Sequence, residues 1–246
     1  MDKDWQTVDE CPMCGATERE HYPVLMPPPI MYVTHDELNF PVTFSVAYEQ
    51  CLECGLIYQN PSFTDEARDK FYSGGTFRRF SDTGVHKKEI ERGERLAKLI
   101  EPLDVKSVLD IGCGRGDFLK ACKDVGVERA IGVELTYYAI DGTKVVPELD
   151  CLYKDELFGI VSLIHYLEHT VDPVVELKRA LSYSNRYVLV EVPHREDGGW
   201  AMYLPHTLIF KPWTLVSAFE RAGMQIVGLG TSEVNITIIG ERKEDE

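Results

Sequence analysis

Val108-Leu-Asp-Ile-Gly-Cys-Gly-Arg-Gly-Asp117 is the stretch that decides the fold. Its first half extends a short apolar run, Ser107–Ile111, closed by glycine, which reads as a buried strand. Gly112, Gly114 and Gly116 then permit a sharp turn and a close approach of a ligand to the backbone. Asp117–Val125 has the composition of a helix and stops at Gly126. Strand, glycine turn and helix in that order aim the free N–H groups and the positive end of the helix at whatever lies in front of the loop.

Working outward, the chain continues to alternate. Ala130–Glu134, Phe158–Ile164 and Arg186–Val192 are expected strands. Pro173–Leu181 is an expected helix with Asp172 as N-cap and proline in its first position, and Pro212–Ala222 is another, ended by Gly223. Gln225–Leu229 and Glu233–Ile239 read as an antiparallel pair. Upstream lie a short helix from Asp65 to about Tyr72 and a longer one over Glu89–Ile100, ended by Pro102. This pattern builds an open α/β sheet with helices on both faces.

The glycine loop by itself admits two cofactors. Dinucleotide sites use G-x-G-x-x-G, whereas this spacing is G-x-G-x-G. Asp110, two residues before the first glycine, would repel a pyrophosphate but attract the ammonium end of S-adenosylmethionine (SAM). Glu134, 22 residues after Gly112, can accept from ribose hydroxyls in either cofactor. The segment resembles the first motif of class I SAM-dependent methyltransferases, and Gly132-Val-Glu134-Leu135 resembles their acidic second motif. The resemblance covers most of residues 85 to 240. It implies a Rossmann-like methyltransferase sheet, with Gly112, Cys113, Gly114 and Gly116 around the methionine part of SAM. It also implies Glu134 and Leu135 beside the ribose, and Asp110 and His165 on the cofactor side.

Two further segments extend the likeness. Ile164-His165-Tyr-Leu-Glu168-His169 is similar to the leucine-glutamate-histidine segment after strand four of small-molecule methyltransferases. Glu191-Val-Pro193-His194 followed by His206 and Phe210 resembles the region after strand five. The resemblance implies that His169 or His206 takes a proton from the acceptor, a task suited to an imidazole. The glycine- and aromatic-containing loop from Arg195 to Leu204 reads as a candidate lid. Gly159 stands where the family has aspartate, and Leu135–Leu157 is short for a helix, a strand and a loop, so the contact to adenine stays open among Asp150, Asp155 and Glu156.

Cys11-Pro-Met-Cys14-Gly15 and Cys51-Leu-Glu-Cys54-Gly55 are two knuckles that supply four thiolates for a closed, tetrahedral, structural zinc site. The 36 residues between them exceed the usual spacing, so a β-rich insertion is expected between the halves of the ribbon. Residues 1 to about 60 look otherwise strand-poor. Cys113, Cys122 and Cys151 lie in apolar segments and read as packing residues. The expected division is a zinc-binding ribbon at 1–60, a linker and helical lead-in at 61–104, and a SAM-binding domain at 105–246.

The net charge of −15, and ten acidic residues against Lys3 and Arg19 within residues 1–60, argue against nucleic acid as a partner. No apolar run reaches the roughly 18 to 20 residues that span a bilayer, and the N-terminus lacks the pattern of a signal peptide, so a soluble cytoplasmic protein is expected. The ribbon's continuation, Cys54-Gly-Leu-Ile-Tyr-Gln-Asn-Pro61, is similar to zinc-ribbon methyltransferases of sugar pathways. The expected reaction is therefore methyl transfer from SAM to a small polar acceptor, a sugar hydroxyl in particular. A non-catalytic SAM-binding scaffold and a methyltransferase acting on RNA or protein are the alternatives.

Overall fold

The computed structural model describes residues 4–23, 47–73, 86–135, 142–194 and 206–243. The candidate lid at 195–204 lies outside the described residues, and so does the side chain of Tyr72. The N-terminal part forms short strands β1 (Trp5–Gln6), β2 (Arg19–Tyr22), β3 (Tyr48–Cys51), β4 (Ile57–Gln59) and β5 (Ser62–Phe63), then helices α1 (Asp65–Ser73) and α2 (His86–Ile100). This corrects the expectation of a strand-poor start. Strands of two to four residues are too short to leave a periodic signal.

The remainder alternates as β6 (Ser107–Ile111), α3 (Asp117–Asp124), β7 (Arg129–Val133), β8 (Lys144–Val146), β9 (Phe158–Ile164), α4 (Pro173–Ser182), β10 (Ser184–Pro193), β11 (Leu208–Ile209), α5 (Pro212–Arg221), β12 (Met224–Thr231) and β13 (Asn235–Arg242). Seven of these strands form one sheet in the order β12-β13-β10-β9-β6-β7-β8. From β8 to β10 neighbouring strands are parallel, whereas β13 runs antiparallel to both β10 and β12. The chain leaves β6 toward β7 and β8, then returns to β9 on the other side. Strand order reverses there, and open α/β sheets bind ligands at that crevice, outside the carboxyl ends of the strands.

Alternate residues of the central strands feed two cores, as the period of two requires. Leu109, Val161, Val188 and Val190 pack with Leu177 and Leu181 of α4 and with Leu215 and Phe219 of α5. Val108, Ile160 and Leu189 pack on the other face with Leu96 and Ile100 of α2 and Leu119 and Cys122 of α3. The short stretch after β7 is accounted for by a three-residue edge strand, β8, and a 3-10 turn at Leu149–Cys151. Cys151 is exposed there, in a turn that follows the edge strand, contrary to its reading as a packing residue.

β11 has no counterpart in the expected element list. It pairs with β4 and completes a second, four-stranded sheet, β11-β4-β3-β2. A segment C-terminal to the large sheet's fifth strand thus joins the N-terminal cysteine module.

α4 shows the clearest local logic. Asp172 Oδ1 accepts from the backbone N–H groups of Val174 (2.8 Å) and Val175 (3.0 Å), and Pro173 occupies a first-turn position that has no N–H to satisfy. Asp172→Ala should cost about 1 kcal/mol, which lowers the midpoint of thermal unfolding by about 2–4 °C. Calorimetry checks this; an unchanged midpoint contradicts it.

Candidate active site

The glycine loop leaves β6 at the carboxyl edge of the sheet. Gly112, Gly114 and Gly116 have φ of +73°, +53° and +87°, the left-handed region that favours glycine. A Cβ at Gly112 would stand 2.4 Å from Tyr166 Cδ2, whereas one at Gly114 would meet nothing within 4 Å. The loop is therefore packed at its start and open at its centre, as a cradle for a ligand must be. The N–H groups of Gly112 and Cys113 donate to the Val133 carbonyl (2.8 and 3.1 Å), and Gly114 N–H donates to Glu134 Oε2 (3.1 Å). Cys113 fills the space where a side chain at Gly132 would sit. Leu135, beside Glu134, is exposed.

Asp110 lies buried beneath this loop and accepts from Ser162 Oγ at 2.7 Å. Burial pushes its carboxyl up to about 7, with the charge of Glu134 adding to the effect and the Ser162 hydrogen bond opposing it. Of the three candidates for the adenine contact, Glu156 pairs with Arg129, the first residue of β7, whose guanidinium stacks on Phe158, the first residue of β9. Asp155 lies three residues before that strand's start. Both therefore sit by the amino edge, and Asp150 is the candidate that follows the carboxyl end of β8.

Beyond β9 the chain makes the turn that carries the histidines. His165 has φ of +51°, and Tyr166 after it covers Gly112, so the histidine cluster and the glycine loop are neighbours. Glu168 is 1% exposed, and neither of its carboxylate oxygens accepts a hydrogen bond. Its Oε1 lies 3.5 Å from His165 Nδ1, 3.8 Å from His169 Nε2 and 3.8 Å from His206 Nε2. The rings of His169 and His206 meet edge-on, with centroids 4.8 Å apart. Burial alone would raise Glu168, but the three imidazoles outweigh it and hold the carboxyl at about 2. The structure thus brings His169 and His206 together from segments 37 positions apart in sequence.

Sequence reasoning assigned no role to Glu191. It is fully buried in β10, 2.6 Å from Arg95 and 3.4 Å from Arg92 of α2, 3.7 Å from His165, and accepts from Thr237 Oγ1 at 2.7 Å. Burial raises its carboxyl and the surrounding donors overcome that, holding it at about 2. His165, between the two glutamates, titrates above its ordinary value: burial acts against the charge, and Glu168 and Glu191 prevail. One signal was present, a lone carboxylate inside the apolar run Tyr187–Val192.

The four N-terminal cysteines also converge. Cys11 Sγ is 3.5 Å from Cys54 Sγ, Cys14 Sγ is 3.6 Å from Cys51 Sγ, and all four sulfurs lie within 4.8 Å of one another. A tetrahedron of thiolates around an ion at about 2.3 Å has edges of about 3.8 Å, so the set fits one metal ion. The two knuckles are built alike: Gly15 N–H donates to the Cys11 carbonyl and Gly55 N–H to that of Cys51, with both glycines at φ near +77° (+77° and +76°). Without an ion, burial pushes the Cys14 thiol up to about 11.

Among solved structures, the chain is similar in fold to magnesium protoporphyrin IX methyltransferase from Synechocystis PCC 6803 with bound SAH. The match has a TM-score of 0.50 and 14% identity, over 72% of this chain and 99% of that one. It is likewise similar to the plantazolicin methyltransferase BpumL in complex with a monoazolic desmethylPZN analog and SAH. Here the TM-score is 0.53 and the identity 12%, over 72% and 94% of the two chains. A third similar chain comes from the complex of the Haloferax volcanii Trm112 methyltransferase activator with a methyltransferase (TM-score 0.53, 15% identity, 68% and 98% covered). At such identities the likeness is one of fold. A search of curated proteins returned no match. The family model described as a methyltransferase domain matches residues 86–229, from the start of α2 to within β12. That span is more than half of the chain and contains the glycine loop, the switch point and both histidines, so the chain belongs to the methyltransferase domain family and is a SAM-dependent methyltransferase of Rossmann-like fold.

Proposed function

We propose that this enzyme methylates a hydroxyl oxygen of a small polar acceptor, a sugar in particular, with His169 or His206 as the proton acceptor. The observation that carries this reading is the juxtaposition of two imidazoles on a buried carboxylate with an open glycine cradle at the sheet's switch point. When bound, SAM supplies a methyl group on a sulfonium centre. Gly112, Cys113, Gly114 and Gly116, with the N-terminus of α3, hold the carboxylate end of such a ligand. Asp110 faces its ammonium, Glu134 receives ribose hydroxyls, and Leu135 offers an apolar face beside them. Glu168 favours protonated imidazoles around it, so a histidine that accepts the acceptor's proton is stabilised in the act. His165 holds Glu168 and Glu191 apart on the cofactor side. Holding acceptor and donor in line removes much of the entropic part of the barrier. The acidic ribbon and the family's small-molecule resemblance favour a small acceptor over RNA. In this reading the cysteine set holds one structural zinc ion, which stabilises a module with little core of its own.

Transfer of labelled methyl from SAM to a panel of nucleotide-linked sugars tests the reaction directly. No transfer to any sugar, with transfer to a protein or RNA fraction of cell extract, would overturn the acceptor class. His169→Ala and His206→Ala should each lower kcat by about 10²–10⁴-fold while leaving the affinity for SAM within about twofold. Loss of SAM affinity instead would place the histidines in the cofactor pocket.

The position of Asp110 also makes donor binding pH-dependent. Its carboxyl ionises near 7, and an ammonium group favours the ionised form. Affinity for SAM should therefore be full above pH 7 and weaken, by at most about tenfold per unit, as pH falls through that value. Isothermal titration between pH 6 and 8 reads this directly, and a flat profile counts against an Asp110–ammonium contact. For the cysteine site, Cys14→Ser should release one zinc equivalent relative to wild type by elemental analysis and lower the thermal midpoint. A fully stable wild-type protein without zinc in that site would refute the structural role.

A further inference from the structure

Glu168, His169 and His206 offer one carboxylate oxygen and two imidazole nitrogens, all within 4.8 Å of one another. We infer that they form a second metal site, distinct from the cysteines, that takes a first-row divalent ion of the Zn²⁺, Co²⁺ or Fe²⁺ type. This rests on the proposed reading of the same pocket as the place where the acceptor hydroxyl sits.

The geometry is close to a finished site. Ligands at about 2.1 Å around a tetrahedral ion stand about 3.4 Å apart. Both nitrogens lie 3.8 Å from Glu168 Oε1 and all three atoms lie within 4.8 Å of one another, so closing on an ion shortens the two carboxylate edges by about 0.4 Å and the edge between the imidazoles by at most about 1.4 Å. The second observation is Glu168 itself: it is 1% exposed, and both its oxygens accept no hydrogen bond. A buried carboxylate in that state costs several kcal/mol unless a cation compensates it. An ion at the common focus of the three side chains does so more completely than imidazoles at 3.5–3.8 Å.

The ligands are also held in place. Thr207 Oγ1 donates to the Glu168 carbonyl (3.2 Å) and the Thr170 carbonyl (2.6 Å), which ties the His206 strand to the histidine turn. Tyr48 of the cysteine module donates through its hydroxyl to the His206 carbonyl at 2.9 Å. Two imidazoles and one carboxylate suit a borderline ion and not Mg²⁺ or Ca²⁺, which take oxygen ligands. Three protein ligands leave a coordination position open, as catalytic sites do and structural ones do not. An acceptor hydroxyl bound there would lose its proton to solvent more readily, and the ion would serve where the imidazoles serve in the ion-free protein.

Co²⁺ is the probe, added to full-length protein that carries a single zinc equivalent, which the four thiolates take in preference, so that the cysteine site is filled and the second site is free of zinc. Wild type should bind one equivalent, with visible bands that lack thiolate-to-metal charge transfer. Glu168→Gln and His206→Gln should weaken that binding by about a hundredfold or more. Both variants are checked for SAM affinity and cooperative melting. If Glu168→Gln does not fold, His169→Gln, at a less buried position, reports on the same site. No Co²⁺ bound by wild type, or equal binding by wild type and folded variants, overturns the site. Methyl transfer measured on the same samples separates the two readings. Transfer with no Co²⁺ bound sinks the metal site and keeps the function; Co²⁺ bound at this site with no SAM binding does the reverse.

Discussion

A carboxylate with both oxygens buried and neither hydrogen-bonded is the constraint around which this site is organised. Glu168 cannot stay charged in that position without positive charge close by. The fold sets imidazoles against it from three directions: His165 before the turn, His169 next in sequence, and His206 from a distant segment. Once these imidazoles are gathered, the pocket can hold a proton or a cation, and it is placed against the glycine loop by Tyr166 packed over Gly112. The same logic repeats one layer away at Glu191, where Arg92, Arg95 and Thr237 meet a fully buried carboxylate and share His165 with Glu168.

The His206 segment is held from the N-terminal module as well as from the histidine turn. Gln59 N–H donates to the Thr207 carbonyl at 2.8 Å, β11 pairs with β4, and Tyr48 pins the His206 carbonyl. Cys51 ends β3, and Cys54 precedes β4 by three residues. The cysteine cluster therefore adjoins the two strands, β3 and β4, that hold the backbone around His206. A segment with ten acidic residues in its first 60 positions suits a brace for the histidine cluster better than a nucleic-acid clamp.

Much of this was legible in the sequence. Ser107–Ile111 and Phe158–Ile164 are found at the expected bounds, and Asp172 caps α4 as its position suggests, because each is specified by local pattern and by the chemistry of a turn. The four cysteines converge because each knuckle is a local structure. What escaped was non-local. β11 has two residues and no period, so its pairing with a strand some 150 positions earlier has no trace in either segment. Glu191 lay in a run that reads as a buried strand, and its partners Arg92 and Arg95 come from α2, close to 100 positions earlier. Cys151 was misread because an apolar neighbourhood in sequence does not say whether a layer will cover it.

Three buried carboxylates lie by the crevice, Asp110, Glu168 and Glu191, and their environments push them apart. Asp110 is buried beside another negative group, Glu134, with one hydroxyl to help, and rises to about 7. Glu168 and Glu191 are as deeply buried but ringed by imidazole and guanidinium, and fall to about 2. Such a split separates roles in a site. The loop end carries a group that gains from an arriving cation, which matches a ligand with an ammonium and a sulfonium centre. The histidine end carries fixed negative charge that lowers the cost of placing a proton or an ion next to it. The proposed arrangement, a methyl donor at one end and a hydroxyl acceptor at the other, uses both, because such a reaction consumes a cation at the first and releases a proton at the second.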